Sequence, residues 1–250
     1  MPPAGIFGAR RSCGGHFVSG VLYGVGLGPG DPELMTLRAH RLISGAKVVA
    51  YPALAGAESF ARSIAAGAMA PGVREIVMDV PMTTERGPAQ AAYDVGAGEI
   101  AAVLEAGEDV VCLCEGDPFF YGSFMHLYTR LTHLVDVQVL PAITGMSGAW
   151  TATGAPITWG DDVLTVLMGT LEEKDLVRHM DDTDALVVMK IGRNFDKVVR
   201  ALKVAGKFDD AWIVQFATMP NQSVTKLSEM TEDVTPYFSI IVVHGQGRRP

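Results

Sequence analysis

The stretch Tyr23-Gly24-Val25-Gly26-Leu27-Gly28-Pro29-Gly30-Asp31-Pro32 carries the residue types best suited to holding a ligand with main chain alone. Its glycines let the backbone approach a ligand or take positive φ, and Pro29 and Pro32 stiffen the turn. A dinucleotide fingerprint would need G-x-G-x-x-G, but the sixth place is Pro29 counted from Gly24 and Asp31 counted from Gly26. The third glycine, which packs helix against strand, is missing in both frames, so a nicotinamide site is not expected. Cys112 and Cys114 stand two apart in an apolar run, where a strand would put both on one face. A C-x-C spacing fits neither a redox pair nor a metal site and reads as two buried small side chains in a reducing compartment, with Cys13 apart. The six histidines, His16, His40, His126, His133, His179 and His244, show no ligand spacing with a cysteine or carboxylate set, so no metal is expected. Asp161, Asp162, Asp181 and Asp182 read as solvated caps, and His244 as tail or edge strand.

These residues need a scaffold. The chain has 250 residues, 48% of them apolar and 19% charged, which is enough to bury one or two cores. Its 20 basic and 28 acidic residues give a net charge of −8, which disfavours nucleic acid. No apolar run reaches the roughly 18 residues needed to cross a bilayer, and the first sixteen residues lack a signal-like apolar stretch. A cytoplasmic protein is expected, with residues 1–18 a flexible extension. Apolar runs at 21–25, 47–51, 73–78 and 109–114 alternate with helical stretches, which predicts a mainly parallel sheet covered by helices. The first helix is read with an apolar stripe at Leu34, Leu37 and Leu42 and with Glu33 at its positive end. Pro88 starts a helix over 89–105 in which Gly96 and Gly98 are weak spots. A second block follows Pro141, with strands at 163–168, 185–191, 211–216 and 239–243, helices near 172–180 and 195–205, and a further strand within 222–229 that makes its sheet mixed. The expected fold class is α/β, as two α/β domains, 19–140 and 141–250.

Three ordered segments add a family resemblance. The turn from Tyr23 to Ala39 resembles the N-terminal signature of the tetrapyrrole (corrin and porphyrin) methyltransferases. Cys114-Glu115-Gly116-Asp117-Pro118-Phe119-Phe120-Tyr121-Gly122-Ser123-Phe124-Met125 is similar to the matching loop of the branch that methylates carbon 20 of precorrin-2. Leu140-Pro141-Ala142-Ile143-Thr144-Gly145-Met146-Ser147, followed by Gly160 to Leu167, fits the same branch. The resemblance runs from about Val21 to Val243. It implies a cofactor cleft between the two domains, S-adenosyl-L-methionine as methyl donor with S-adenosyl-L-homocysteine as product, a tetrapyrrole substrate and a homodimer.

By the resemblance, Gly28, Pro29 and Gly30 form one wall of the donor site, and Glu115, Gly116, Asp117 and Phe120 a second. Thr144 and Gly145, Met168 in Leu167-Met168-Gly169-Thr170, and Ala217 complete it. Each has a plainer reading: a strand-to-helix turn for 28–30, a turn starter for Asp117, a helix cap for Thr144, core packing for Met168. Glu115 stands where many relatives carry glycine, and Ala142 and Gly145 where relatives carry glycine and a small residue such as serine. Methyl transfer from a sulfonium is mostly a matter of positioning. Tyr121, Glu115 and His126 are weak candidates to take the proton from the methylated carbon; His126 also reads as a helix-surface residue and Tyr121 as packing. A polycarboxylate substrate needs local cations on a chain of charge −8, for which Arg38, Arg62, Arg86, Arg130, Lys190 and Arg193 are candidates. The implied activity gives precorrin-3A in cobalamin biosynthesis. Alternatives are the cobalt-bearing precursor, another tetrapyrrole carbon, or a non-catalytic tetrapyrrole binder.

Overall fold

The computed structural model describes residues 20–54, 56–81, 86–231 and 235–247, with Arg86 described by its backbone only. The expected extension over 1–18, Cys13 and His16 lie outside the described residues. The chain divides into two compact units. One runs to Gly28 and from Pro32 to Ile143, and the other joins Pro29–Asp31 to the chain from Thr144 onward.

The first unit is built on five parallel strands, β1 (Val21–Gly26), β2 (Val48–Leu54), β3 (Arg74–Val80), β4 (Val110–Cys114) and β5 (Asp136–Leu140), in the order β3-β2-β4-β1-β5. Strands covered on both faces must be apolar throughout, and every residue of β4 is buried. On one face α1 (Leu37–Ser44) and α2 (Phe60–Ala65) pack Ala39, Ile43 and Ile64 over Val25, Val49 and Leu113. On the other, α3 (Arg86–Glu105) and α4 (Phe124–Leu131) pack Ile100, Leu104, Phe124 and Leu127 over Leu22, Ala50 and Met78. Phe124 is 1% exposed, a burial that stabilises by about 2–3 kcal/mol. Cys112 and Cys114 share that second face, as the spacing predicts, and burial pushes the Cys114 thiol well above its ordinary range.

Four expectations are corrected in this unit. The first helix begins at Leu37, because the Thr36 hydroxyl accepts the Ala39 amide and caps it there. Glu33 lies in a separate 3-10 turn, Leu37 is 84% exposed, and Ala39 and Ile43 carry the buried stripe. The third helix starts at Arg86, with Pro88 inside its first turn, where no intrahelical N–H bond is lost. Gly96 is a contact, since a Cβ there would lie 2.4 Å from Met78 Cγ, whereas one at Gly98 would meet nothing within 4 Å. The short alternating strand β5 was not foreseen in 109–140; it is a sheet edge with too little apolar length to announce itself.

The second unit holds β6 (Leu164–Met168), β7 (Ala185–Met189), β8 (Ala211–Gln215), β9 (Ser223–Lys226) and β10 (Ser239–Val243), in the order β6-β7-β10-β8-β9. β6 and β7 run parallel, while β10 is antiparallel to both neighbours, so the sheet is mixed, as the sequence predicts. Helices α6 (Glu173–Asp181) and α7 (Phe195–Val204) cover one face through Leu176, Met180, Val198 and Leu202, and α5 (Gly145–Ala152) packs on the other with Ala149 against Val187, Val214 and Val242. His244 follows a central strand, contrary to the edge assignment. Ser-Ile-Ile-Val-Val is buried on both faces, and the imidazole lies 2.9 Å from Thr153 Oγ1 and 2.8 Å from the Pro156 carbonyl. Asp162 is also no solvated cap: its Oδ2 accepts the amides of Trp159 and Gly247 at 3.0 and 3.1 Å. Among the described residues no helix is long and apolar enough to cross a membrane.

Candidate active site

β1 and β4 are neighbours whose chains leave in opposite directions, β1 toward α1 on one face and β4 toward α4 on the other. Such a switch of direction opens a crevice at the carboxyl ends of parallel strands, where α/β proteins bind ligands. Across it the two loops interlock. Leu27 donates to the Cys114 carbonyl at 2.9 Å and Gly116 donates to the Gly28 carbonyl at 2.8 Å, an isolated antiparallel bridge just past the parallel β1–β4 pairing. Gly28 and Gly116 hold it with φ of 86° and 64°, left-handed values that cost a side chain about 1 kcal/mol or more. At Gly26 a Cβ would stand 2.5 Å from Ala142 Cβ and 2.8 Å from the Gly116 carbonyl, so the strand end has no room for one.

Asp117 is tied into the same knot. Its Oδ1 accepts the Phe119 amide at 2.9 Å, the turn-starter role, and its Oδ2 accepts the Ala142 amide at 3.0 Å. One carboxylate therefore braces the loop after β4 against the loop after β5, a 25-residue connection that no local motif announces. Phe120 closes the turn by donating its amide to the Asp117 carbonyl at 3.2 Å and meets Tyr121 edge-on, ring centroids 5.0 Å apart. Tyr121 is exposed and left-handed, φ 55°. Glu115 is half-buried directly after β4. His126 is the third residue of α4, with its ring stacked on Tyr93 of α3 at 4.6 Å. Burial pushes the Tyr93 phenol up. The first unit thus brings Gly28, Glu115, Gly116, Asp117 and Phe120 to one loop pair, whereas His126 belongs to the α3–α4 packing.

In the second unit, Thr144 caps α5, its Oγ1 accepting the Ser147 amide at 3.4 Å. The first-turn amides of Gly145 and Met146 then have no carbonyl four residues back to bond. The Pro29–Asp31 turn docks on this helix and on the loop after β8. The Asp31 amide donates to Thr218 Oγ1 at 3.1 Å, a Cβ on Gly148 would lie 3.1 Å from Pro29 Cβ, and one on Gly30 would lie 2.7 Å from Met219 Cγ. Ala217, half-buried, packs with Met146, Ile240 and Met189 on the α5 face. Met168 ends β6 opposite Met189 in register. Pro29, Gly30, Thr144, Gly145 and Ala217 therefore lie around the start of α5, with Met168 at the carboxyl edge of the same sheet. The bracing by Thr218 was missed; its Thr in a left-handed turn, φ 68°, has no sequence signature.

Of the expected cations, Arg62, Arg130 and Arg38 bond side chains of their own unit. Arg62 donates to both oxygens of Glu75 at 2.7 and 2.9 Å, with Tyr51 on the same carboxylate. Arg130 bonds Asp94, Gln90 and the His126 carbonyl, and Arg38 donates to Gln138 at 3.2 Å. The Arg86 side chain lies outside the described residues. Among the described residues no group of three or more His, Cys, Asp or Glu is arranged to hold a metal.

A switch-point parallel sheet followed by a mixed sheet, with main-chain-rich loops at the strand ends, defines a two-sheet α/β protein of the class that binds small molecules at its strand ends. The sequence profile of the tetrapyrrole (corrin/porphyrin) methylases matches residues 21–231, and the chain belongs to that family. It is 45% identical over 92% of its length to a precorrin-2 C(20)-methyltransferase from Sinorhizobium, covering 98% of that protein. It is 42% identical to the cobalamin biosynthesis protein CobIJ of Mycobacterium tuberculosis H37Rv over 92% of its length and spans about half (47%) of that longer protein. Identity to a cobalt-precorrin-2 C(20)-methyltransferase from Salmonella typhimurium is 27% over 92% of this chain and 98% of that one. The crystal structure of the uroporphyrin-III C-methyltransferase of Thermus thermophilus complexed with S-adenyl homocysteine superimposes with a TM-score of 0.64 at 26% identity, covering 90% of this chain and 92% of that one.

Proposed function

We propose that this chain is an S-adenosyl-L-methionine-dependent C-methyltransferase that methylates carbon 20 of precorrin-2 to give precorrin-3A in cobalamin biosynthesis. The observation that carries the reading is the 45% identity to a precorrin-2 C(20)-methyltransferase across nearly the full length of both chains. The lower identity, 27%, to the enzyme named for the cobalt-bearing substrate favours the metal-free one.

The residues present suit the donor. The Gly145 and Met146 amides at the start of α5 suit its carboxylate, Glu115 its positive charge, and the apolar surfaces of Met168, Ala217 and Phe120 its flat or aliphatic parts. Gly28, Pro29, Gly30 and Gly116 offer main chain without bulk, and Asp117 and Thr144 brace the loops that present it. Bound, the donor supplies an electrophilic methyl carbon on a good leaving group. The protein's share is then to fix the line of attack and exclude water, which loops pinned at both strand ends accomplish. For proton removal from the methylated carbon the candidates on the loop after β4 are Glu115 and Tyr121, with His126 held in the α3–α4 packing, and single variants at each separate them. A cytoplasmic homodimer is part of the same reading.

Purified protein incubated with carbon-13 methyl-labelled donor and either metal-free or cobalt-loaded precursor tests it. Carbon NMR is expected to place the label at carbon 20 of the metal-free substrate. A label elsewhere, or turnover of the cobalt form alone, overturns the assignment. Sedimentation velocity is expected to give a dimer.

A further inference from the structure

Lys190 and Arg193 are the two expected cations that lie at the carboxyl edge of the second unit's sheet, and the turn that carries them is unusual. Lys190 follows β7 with φ 53°, a left-handed value that an ordinary side chain avoids. The neighbours over-determine it. The Gly169 amide donates to the Met189 carbonyl at 2.7 Å, and a Cβ on Gly169 would meet the Lys190 carbonyl oxygen at 3.0 Å, so the loop after β6 sits tight beneath this peptide. Ile191 is fully buried in the α6–α7 core, the Gly192 carbonyl accepts the Thr235 hydroxyl at 3.1 Å, and the Asn194 amide turns back to the Ile191 carbonyl at 2.6 Å. Strain retained in a turn this firmly anchored is a mark of functional sites.

What the turn presents is Arg193. Its side chain is exposed and, among the described residues, makes no hydrogen bond or ion pair, unlike Arg62 and Arg130. It stands between the end of β7, in register with Met168, and the first turn of α7, whose amide dipoles add to the local positive field. The nearby Lys197 is bonded to Asn194 at 3.2 Å, and the exposed Asp196 is the carboxylate nearest in sequence. A planar, permanently charged guanidinium held ready on a rigid turn is suited to bidentate capture of a carboxylate.

We propose that Arg193, presented by the left-handed turn at Lys190, grips a side-chain carboxylate of the tetrapyrrole substrate. The assignment rests on the proposed function for the identity of the substrate, and the test separates the two. Steady-state kinetics on the full chain with precorrin-2 are compared for wild type, Arg193→Gln and Arg193→Lys, with S-adenosyl-L-homocysteine affinity read by calorimetry. For Arg193→Gln the expected result is a KM raised about 10- to 100-fold, with kcat within about threefold and product affinity unchanged, and partial rescue by lysine. Added salt is expected to raise the wild-type KM more than that of the glutamine variant. A glutamine variant whose KM stays within about twofold of wild type overturns the proposal. If wild type does not methylate precorrin-2, the function reading falls, and binding of a polycarboxylate porphyrin, followed by fluorescence quenching, then decides. Roughly tenfold weaker binding by Arg193→Gln upholds the carboxylate grip, and equal binding overturns it.

Discussion

The two sheets shape their strand-end loops by different means. In the first unit, the left-handed positions where β1 and β4 interlock are Gly28 and Gly116, and a carboxylate, Asp117, locks the knot from the side. In the second unit, the corresponding loops place Lys190, Phe216 and Thr218 in the left-handed region, three of the four such non-glycine residues among those described. Glycine gives a bare main chain at little conformational strain; a larger residue in the same region retains roughly 1–3 kcal/mol of strain and keeps a side chain at the turn. At these turns the first unit therefore keeps a bare main chain, and the second keeps side chains in spite of the strain.

The largest effect expected from disturbing this contrast is at Gly26. Gly26→Val drives a side chain into Ala142 and the Gly116 carbonyl and is expected to lower stability by about 3 kcal/mol or more, read as a drop in the urea midpoint. Asp117→Ala comes next. Two amides lose a charged acceptor, at about 2 kcal/mol of stability, and the loosened loop is expected to slow methyl transfer by about 100-fold. Asp117→Asn retains one acceptor and is expected to fall between. An Asp117→Ala variant with full activity would mean that the knot is not part of the working site.

Lys190→Gly should act in the opposite sense on stability. Relief of the left-handed strain is expected to raise the unfolding free energy by about 1 kcal/mol with an unchanged denaturant slope, while Gly28→Ala lowers it by a similar amount. If both substitutions destabilise, the contrast between the units is not one of strain.

The smallest effect is in the pH profile. Arg62 and Tyr51 hold the Glu75 carboxyl below the usual carboxylate range, so its contribution to stability is complete above the unfolded value and is lost as the pH falls through the folded one. Burial, with the bond to Glu75, pushes the Tyr51 phenol up to about 12, so the folded chain keeps a proton that the unfolded chain releases from about pH 10, and stability falls between those values. Glu75→Gln is expected to flatten the acid arm and Tyr51→Phe the alkaline arm, measured by thermal unfolding across pH.

Much of this molecule was legible in its residues because the relevant forces are local. Continuous apolar runs such as Val110–Cys114 require a strand covered on both faces, and Thr144 announces a helix start. Non-local pairing is where reading failed. The strand β5 is too short to stand out, and His244 follows a central strand because β10 finds partners on both sides. Asp162 turns inward to amides on either side of it, Trp159 and Gly247. The sequence by itself determined the layered α/β alternation and the segments that carry the family likeness, since periodicity and glycine spacing act within a few residues. Only the tertiary structure decided that Asp117 spends both oxygens on its own loops, that Arg62 and Arg130 are tied to carboxylates, and that Arg193 is not. Those facts depend on which side chains meet across tens of residues, and packing sets that.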